Sequence, residues 1–281
     1  MIILGHENPD VDSIISAIIL NKILTKKGYS SEFIIPDKEI NKDTLEILNN
    51  YNIDPTIYMK EIPNNKKIIL VDHNERNVNG EIICIIDHHK TQKEYNIEHY
   101  YNTNVSSTAC FIAKKAEEFL DKKDLELAVL ATMIDTVSFH STKGRKEDLE
   151  WCEYICNKYN LDYDKLYNQG LYLTNMDNLN EVALNGLKKY NINNQKLESS
   201  YIQIKNPKIE TKNINIIINK LKQRIKDKNL IAFVFIVHDM TLFKTMYYLI
   251  EKDNIITKYY DAYEQRGNTI MPEVFDYVNN K

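Results

Sequence analysis

Three short apolar runs early in the chain end alike, and that shared ending constrains the fold more than any other feature. Met1-Ile-Ile-Leu-Gly5 leads to His6, Asp10 and Asp12; Ile68-Ile-Leu-Val71 leads to Asp72, His73, Asn74 and Glu75; Ile82-Ile-Cys-Ile-Ile86 leads to Asp87, His88 and His89. Continuous aliphatic runs of this kind read as strands buried on both faces, as in parallel sheets. Their Asp and His residues fall at the C-terminal ends, where open α/β sheets place ligands.

Between and beyond these strands the periodicity becomes helical. Val11, Ile14, Ile15, Ile18, Ile19 and Leu24 share one helical face, and Gly28 is the expected stop. Glu32 to Ile35 reads as a strand and Thr44 to Leu48 as a helix, and Ser107 to Leu120, Leu125 to Ile134 and Lys146 to Tyr159 read as further helices. The alternation predicts an α/β fold, with a mostly parallel sheet and helices on both faces. A chain of 281 residues exceeds the usual single-domain size. The polar, Asn-rich stretch Leu161 to Leu187 marks the boundary, so domains are expected over 1–180 and 188–281. The second is a smaller α/β unit, with strands at Ser200 to Ile204, Leu230 to Val237 and Thr245 to Glu251 and an amphipathic helix at Ile214 to Lys226.

Lys and Arg number 36 against 40 Asp and Glu, a net charge of -4, which leaves no basic field to hold a long nucleic acid. Leu230 to Val237, the longest apolar stretch, is too short to cross a bilayer, and no basic region precedes the first strand. A cytoplasmic protein without a membrane partner is expected. Cys84, Cys110, Cys152 and Cys156 have no paired C-x-x-C spacing and are expected to be reduced, packed thiols. Glycine-rich phosphate loops are absent.

One Asp-His pair at a strand end is ordinarily a hydrogen-bonded structural pair. Three such clusters on one rim of a sheet are different, because that many carboxylates in close quarters need cations to hold them. Imidazole and carboxylate donors without thiolate suit Mn²⁺, Co²⁺, Fe²⁺ or Zn²⁺. The abundance of donors fits two ions, and two divalent cations about 3.5–4 Å apart can acidify a water and aim it at phosphorus. Phosphoryl hydrolysis is the reaction class that follows. His99, His140 and His238 lie outside the clusters and are expected to be surface or packing residues.

Gly5-His6-x-Asn8-Pro9-Asp10-x-Asp12-Ser13, Val71-Asp72-His73-Asn74-Glu75, Asp87-His88-His89 and Asp135-Thr136 resemble, in order, the signature motifs of the DHH phosphoesterases. The family II, manganese-dependent inorganic pyrophosphatases are the nearest resemblance, and the C-terminal part resembles their second (DHHA2) domain. The resemblance implies His6 and Asp10 as ligands of one metal, Asp12, His88 and Asp135 as ligands of the other, and Asp72 as the bridge. It also implies that His89 faces the substrate phosphate, with Asp87, His73 and Asn74 supporting the ligands from behind. Mn²⁺, two per site, is the implied cofactor, with Co²⁺ or Mg²⁺ as substitutes, and the implied partner is a small phosphate such as diphosphate or short polyphosphate.

Lys188, in Leu187-Lys188-Lys189-Tyr190, resembles the substrate lysine of a domain that closes over the first. Arg266 resembles the arginine of a Ser-Arg-Lys-Lys motif that here reads Gln265-Arg266-Gly267-Asn268, and a family segment that usually carries glutamine reads Arg76-Asn77-Val78-Asn79. The metal side is therefore complete while the substrate side has lost a charge. Hydrolysis of inorganic diphosphate is the leading expectation. A short-chain exopolyphosphatase, or another DHH phosphoesterase acting on a different small phosphate, keeps the chemistry with a new substrate. A metal- and phosphate-binding regulatory protein without turnover is the reading from another class. The resemblance also prompts a homodimer, paired along an edge strand such as Asn96 to Tyr100.

Overall fold

A computed structural model describes residues 1–37, 39–91 and 95–280. The chain divides into two compact units, one comprising Met1–Phe139 and Lys143–Leu171, the other His140–Thr142 and the chain from Tyr172 onward.

The first unit runs β1 (Ile2–Leu4), α1 (Val11–Lys26), β2 (Glu32–Ile34), α2 (Lys42–Asn50), β3 (Lys67–Val71), β4 (Glu81–Asp87), β5 (His99–Asn102), α3 (Thr108–Lys115), α4 (Lys122–Thr136), α5 (Lys146–Tyr159) and α6 (Tyr163–Gly170). Its sheet has the order β2-β1-β3-β4-β5, with every pair parallel. The chain steps from β1 outward to β2 and then returns past β1 to β3, so the order reverses between β1 and β3. A crevice opens beyond the strand ends at such a reversal. The His6 and Asp72 segments leave the sheet at that point.

Alternation along the strands sorts the core into two layers. Ile3, Ile69 and Val71 pack with Ile14 and Ile15 of α1, Ala109 and Cys110 of α3, and Leu130 of α4. Ile2, Leu4, Ile68, Leu70 and Ile85 form the opposite layer with Ile62, Val78, Ile97 and Tyr100. Helical cover is thus concentrated on one face of this sheet. The reason lies in the connections: β3 to β4 and β4 to β5 carry no helix among the described residues. The helix expected over Ser107 to Leu120 stops at Lys115, and a 3-10 turn follows at Glu117–Phe119.

Asp148 on α5 ties this layer together. Its Oδ2 accepts the Ser106 N–H at 2.7 Å, and Oδ1 pairs with Lys114 Nζ. Burial works against ionisation, but Lys114 and the Ser106 N–H hold the carboxyl below its usual range. Asp148→Asn is expected to lower unfolding free energy by about 2 kcal/mol in urea titrations at neutral pH. A depressed folded-state value means the contribution is present above about pH 4 and fades as pH falls through the folded value. The two proteins should therefore converge in stability in acid.

The second unit runs α7 (Leu179–Val182), β6 (Lys188–Ile192), β7 (Gln195–Ile204), α8 (Thr211–Lys228), β8 (Ala232–Asp239), β9 (Lys244–Ile250), β10 (Ile255–Tyr260) and α9 (Met271–Asn279). The sheet order is β10-β9-β8-β7-β6, with β7 and β8 parallel and the other pairs antiparallel. The crossover helix α8 accounts for the parallel pair. It buries Ile214, Ile217, Ile218, Leu221 and Ile225 against Phe233, Phe235 and Val237. Met271, Val274 and Val278 of α9 cover the other face, over Val234, Ile236 and Tyr247. His238 is a packing residue, stacked on Tyr263 with ring centroids 4.2 Å apart and with Nδ1 3.0 Å from Thr245 Oγ1. All four cysteines are free thiols, and no described helix is long and apolar enough to cross a membrane.

Candidate metal centre

The site is built from the strand ends upward. At Gly5 a Cβ would come 2.2 Å from Ser13 Oγ, so a side chain here would displace that hydroxyl from its place against β1. The His6 N–H donates to that same Ser13 Oγ at 3.1 Å. His6 Nδ1 lies 2.8 Å from the Glu7 carbonyl, which places a proton on Nδ1 and turns Nε2 toward the carboxylates. Nε2 lies 3.5 Å from Asp10 Oδ2 and 3.7 Å from Asp72 Oδ2. Asp10 caps α1 by accepting the Ser13 N–H at 3.1 Å.

Asp12, in the first turn of α1, is buried and accepts the N–H groups of Thr108 and Ala109, at 2.8 and 3.0 Å. Those donors open α3, whose N-terminal dipole favours a carboxylate. Asp72 has φ 64°, left-handed backbone that costs a non-glycine residue energy. Its N–H donates to the Ile86 carbonyl at 2.9 Å, and Thr108 Oγ1 donates to its Oδ1 at 3.1 Å.

Asp87 organises the following pair. Its Oδ1 accepts the N–H of His88 at 2.8 Å, the N–H of His89 at 3.0 Å and the Nδ1 proton of His89 at 2.9 Å. Asn74 Nδ2 donates to its other oxygen at 2.5 Å. His88 Nδ1 faces the Val105 carbonyl at 3.2 Å, so its Nε2 points inward. There it lies 3.3 Å from Asp72 Oδ1, 3.4 Å from Asp135 Oδ2 and 3.9 Å from Asp12 Oδ2.

Three donor groups result: His6, Asp10 and Asp72; Asp12, His88 and Asp135; and Asp72, His88 and His89, each with atoms within 4.8 Å of one another. Asp72 is common to the first and third, presenting Oδ2 to His6 and Oδ1 to His88. The electrostatics describe a cluster short of positive charge. Burial and the neighbouring Asp72 and Asp135 raise the Asp12 carboxyl well above its usual range. Burial opposes ionisation of Asp72 too, but His88, His89 and His6 hold it well below that range. Carboxylates outweigh burial at His6 and His88, pushing each up to about 10. His88 Nε2 and Asp135 Oδ2 are buried and lack a hydrogen-bond partner among the described residues. A divalent cation among these atoms would satisfy the orphaned donors and the carboxylates together, so the donor set fits metal.

His6, Asp10, Asp12, Asp72, His88, His89 and Asp135 are thus brought together at the reversal point of one sheet. His73, with Nδ1 2.9 Å from the Val71 carbonyl, is buried at the end of the same strand. Lys188 and Arg266 lie in the second unit and share one corner of it. Lys188 opens β6 opposite Ser199, and Arg266 Nη1 lies 3.5 Å from Ser199 Oγ while also donating to the Gly186 carbonyl.

Two residues near the cluster carried no expected role. Arg76 donates to the Gly5 carbonyl at 2.8 Å and pairs with Asp37 at 3.1 Å, bracing the turn that presents His6. Its segment stood out only as a departure from the family pattern. Lys143 places Nζ 2.5 Å from Asp135 Oδ1, and although burial disfavours the charge, Asp135, Asp72 and Asp10 raise its pKa. No sequence signal marks it beyond its closeness to Asp135 along the chain.

A parallel sheet with an imidazole and carboxylate cluster at its reversal point defines a class. Residues 1–135 match the model of the DHH family, N-terminal domain. The chain is 27% identical over 266 residues to the manganese-dependent inorganic pyrophosphatase of Methanocaldococcus jannaschii, covering 85% of this chain and 82% of that protein. It is 31% identical over 173 residues to the enzyme of the same name from Methanothrix thermoacetophila, covering 56% of this chain and 54% of that one. A crystal structure of a Methanococcus jannaschii protein, provisionally described as a family II inorganic pyrophosphatase, matches 99% of this chain and 100% of its own with a TM-score of 0.71. At 22% identity that match shows a common fold. The chain thus resembles manganese-dependent inorganic pyrophosphatases in sequence over 85% of its length, and the fold is shared over 99% of it.

Proposed function

We propose that the chain is a metal-dependent inorganic diphosphatase, converting diphosphate and water into two phosphates. One observation carries the proposal: Asp72 offers one oxygen to His6 and the other to His88, joining two donor groups through a single carboxylate. Relatives named manganese-dependent inorganic pyrophosphatases support the metal and the substrate class. His6, Asp10 and Asp72 would hold one Mn²⁺, and Asp12, His88 and Asp135, together with Asp72, would hold a second. The same oxygen and nitrogen donors admit Co²⁺ or Mg²⁺. When bound, such a pair supplies Lewis-acid charge for the phosphoryl oxygens and acidity for the attacking water.

The chain's own residues prepare that chemistry. Carbonyls on Nδ1 fix the tautomers of His6 and His88, and the Thr108 and Ala109 N–H groups hold Asp12 in one orientation. Asp87 orients His89 through Nδ1, and the His89 side chain, 41% exposed, is open to a phosphate oxygen. His89 donates a hydrogen bond there, and Lys188 and Arg266 contact the phosphate groups as cations. Residues 1–180 form the metal-binding domain and residues 188–281 a DHHA2 substrate domain. β5 ends its sheet, which would let two copies pair along it as a homodimer. Gly267 favours one competing reading, a DHH phosphoesterase tuned to another small phosphate, because a gripping charge is replaced there.

Phosphate release with Mn²⁺ should be highest on diphosphate when compared with tripolyphosphate and nucleoside triphosphates. Chelation should abolish it and added Mn²⁺ restore it. Turnover of the longer substrates alone would eliminate diphosphate hydrolysis as the function. No metal-dependent turnover on any of them would leave a binding protein.

A further inference from the structure

Asp135 is divided between two partners of opposite purpose. Its Oδ2 turns to His88 Nε2 at 3.4 Å within the group formed with Asp12, while its Oδ1 is held by Lys143 Nζ at 2.5 Å. The lysine comes from the same unit, from the loop between α4 and α5. Its side chain is only 24% exposed, so solvent screens the contact little. An ammonium so placed does two things to an incoming cation. It withholds part of the carboxylate's charge, and it sets a like charge beside the ion.

We propose that Lys143 is a resident competitor of the metal held by Asp12, His88 and Asp135: a tethered cation that weakens this ion relative to the one held by His6, Asp10 and Asp72. The proposal rests on reading those three residues as a metal pocket. It follows that the two ions bind unequally. Among the described residues His6, Asp10 and Asp72 form ion pairs only with one another and with His88 and His89, whereas Asp135 carries a lysine on its own carboxylate. Neutralising Lys143 would free Asp135 Oδ1 and remove the opposing charge without touching a ligand.

Mn²⁺ titration of the metal-stripped full chain, followed by calorimetry or by the EPR signal of free Mn²⁺, tests this without reference to turnover. Lys143→Met should tighten the weaker of the two binding steps by at least about tenfold, the scale of one charge-assisted hydrogen bond, and the tighter step by clearly less, because Asp72 and Asp10 feel the same charge without bonding to it. Lys143→Gln should do the same, and Lys143→Arg, which keeps the charge, should stay near the parent value. Unchanged or weaker binding in both neutral variants would overturn the proposal, as would an arginine variant that binds as tightly as Lys143→Met. Asp135→Asn separates this from the reading beneath it. Loss of one Mn²⁺ equivalent there upholds the pocket whatever Lys143 does, and retention of both would remove the pocket and the proposal with it.

Discussion

Asp72→Asn should reduce Mn²⁺-dependent phosphate release by at least about a thousandfold, the largest loss expected from any single substitution in the chain. Among the described residues Asp72 is the only carboxylate whose two oxygens face separate donor groups, so removing its charge weakens both at once. Asparagine isolates that effect. It keeps the side-chain volume and tolerates the left-handed backbone at this position better than alanine would. The Asp72 N–H bond to the Ile86 carbonyl is untouched, so circular dichroism should be unchanged. Relief of the like charge beside Asp12 should offset only part of the stability lost with the Asp72 charge, which His6, His88 and His89 favour in the metal-free protein. Each Mn²⁺ binding step should weaken by about 10–100-fold. Activity retained within tenfold of the parent, with both ions bound, would show that Asp72 bridges nothing.

Much of this centre is legible in the amino-acid sequence because its ligands terminate buried strands. An aliphatic run must become a strand, parallel strands must end on one rim, and so Asp10, Asp72 and His88 have to meet. Asp135 is harder, since a helix end places no register on a sheet. The family pattern, rather than periodicity, attaches it to the others. The roles of Lys143 and Arg76 have no such signature. Both act through long side chains, onto Asp135 and onto Gly5 and Asp37, and contacts that depend on loop geometry leave no spacing in the sequence.

The second unit shows the same limit in its edges. β8 is aliphatic from end to end and declares itself. β6 (Lys-Lys-Tyr-Asn-Ile) and β10 (Ile-Ile-Thr-Lys-Tyr-Tyr) are the outer strands of the sheet, where one side needs no burial and polar residues blunt the exposed edge. α9 follows directly on a π-helical turn at Arg266–Ile270, so its start lacks a side-chain cap that could announce it. The residues assigned to substrate lie within these weakly signalled elements, and they are the part of the site on which the resemblance is least complete.

Gly267→Lys addresses that part directly. A lysine follows the arginine in the family motif, and here the position after Arg266 is a glycine. Nothing in the surroundings forbids the side chain. A Cβ built at Gly267 meets no atom within 4 Å, the backbone is not left-handed, and lysine is the better helix former in the π-helical turn. If a missing phosphate contact limits the enzyme, restoring it should raise kcat/KM for diphosphate by about tenfold to a hundredfold, the range of one charge-assisted contact. The gain should shrink as ionic strength rises, because an exposed ammonium acts through a screened field. Gly267→Ala supplies the control, since it makes the same change in backbone freedom without the charge. Equal gains in both variants would assign the effect to the turn rather than to the phosphate. No gain with lysine, alongside faster hydrolysis of tripolyphosphate than of diphosphate by the parent chain, would mean that Gln265-Arg266-Gly267-Asn268 is fitted to a different phosphoanhydride and that diphosphate is not the substrate this sequence serves.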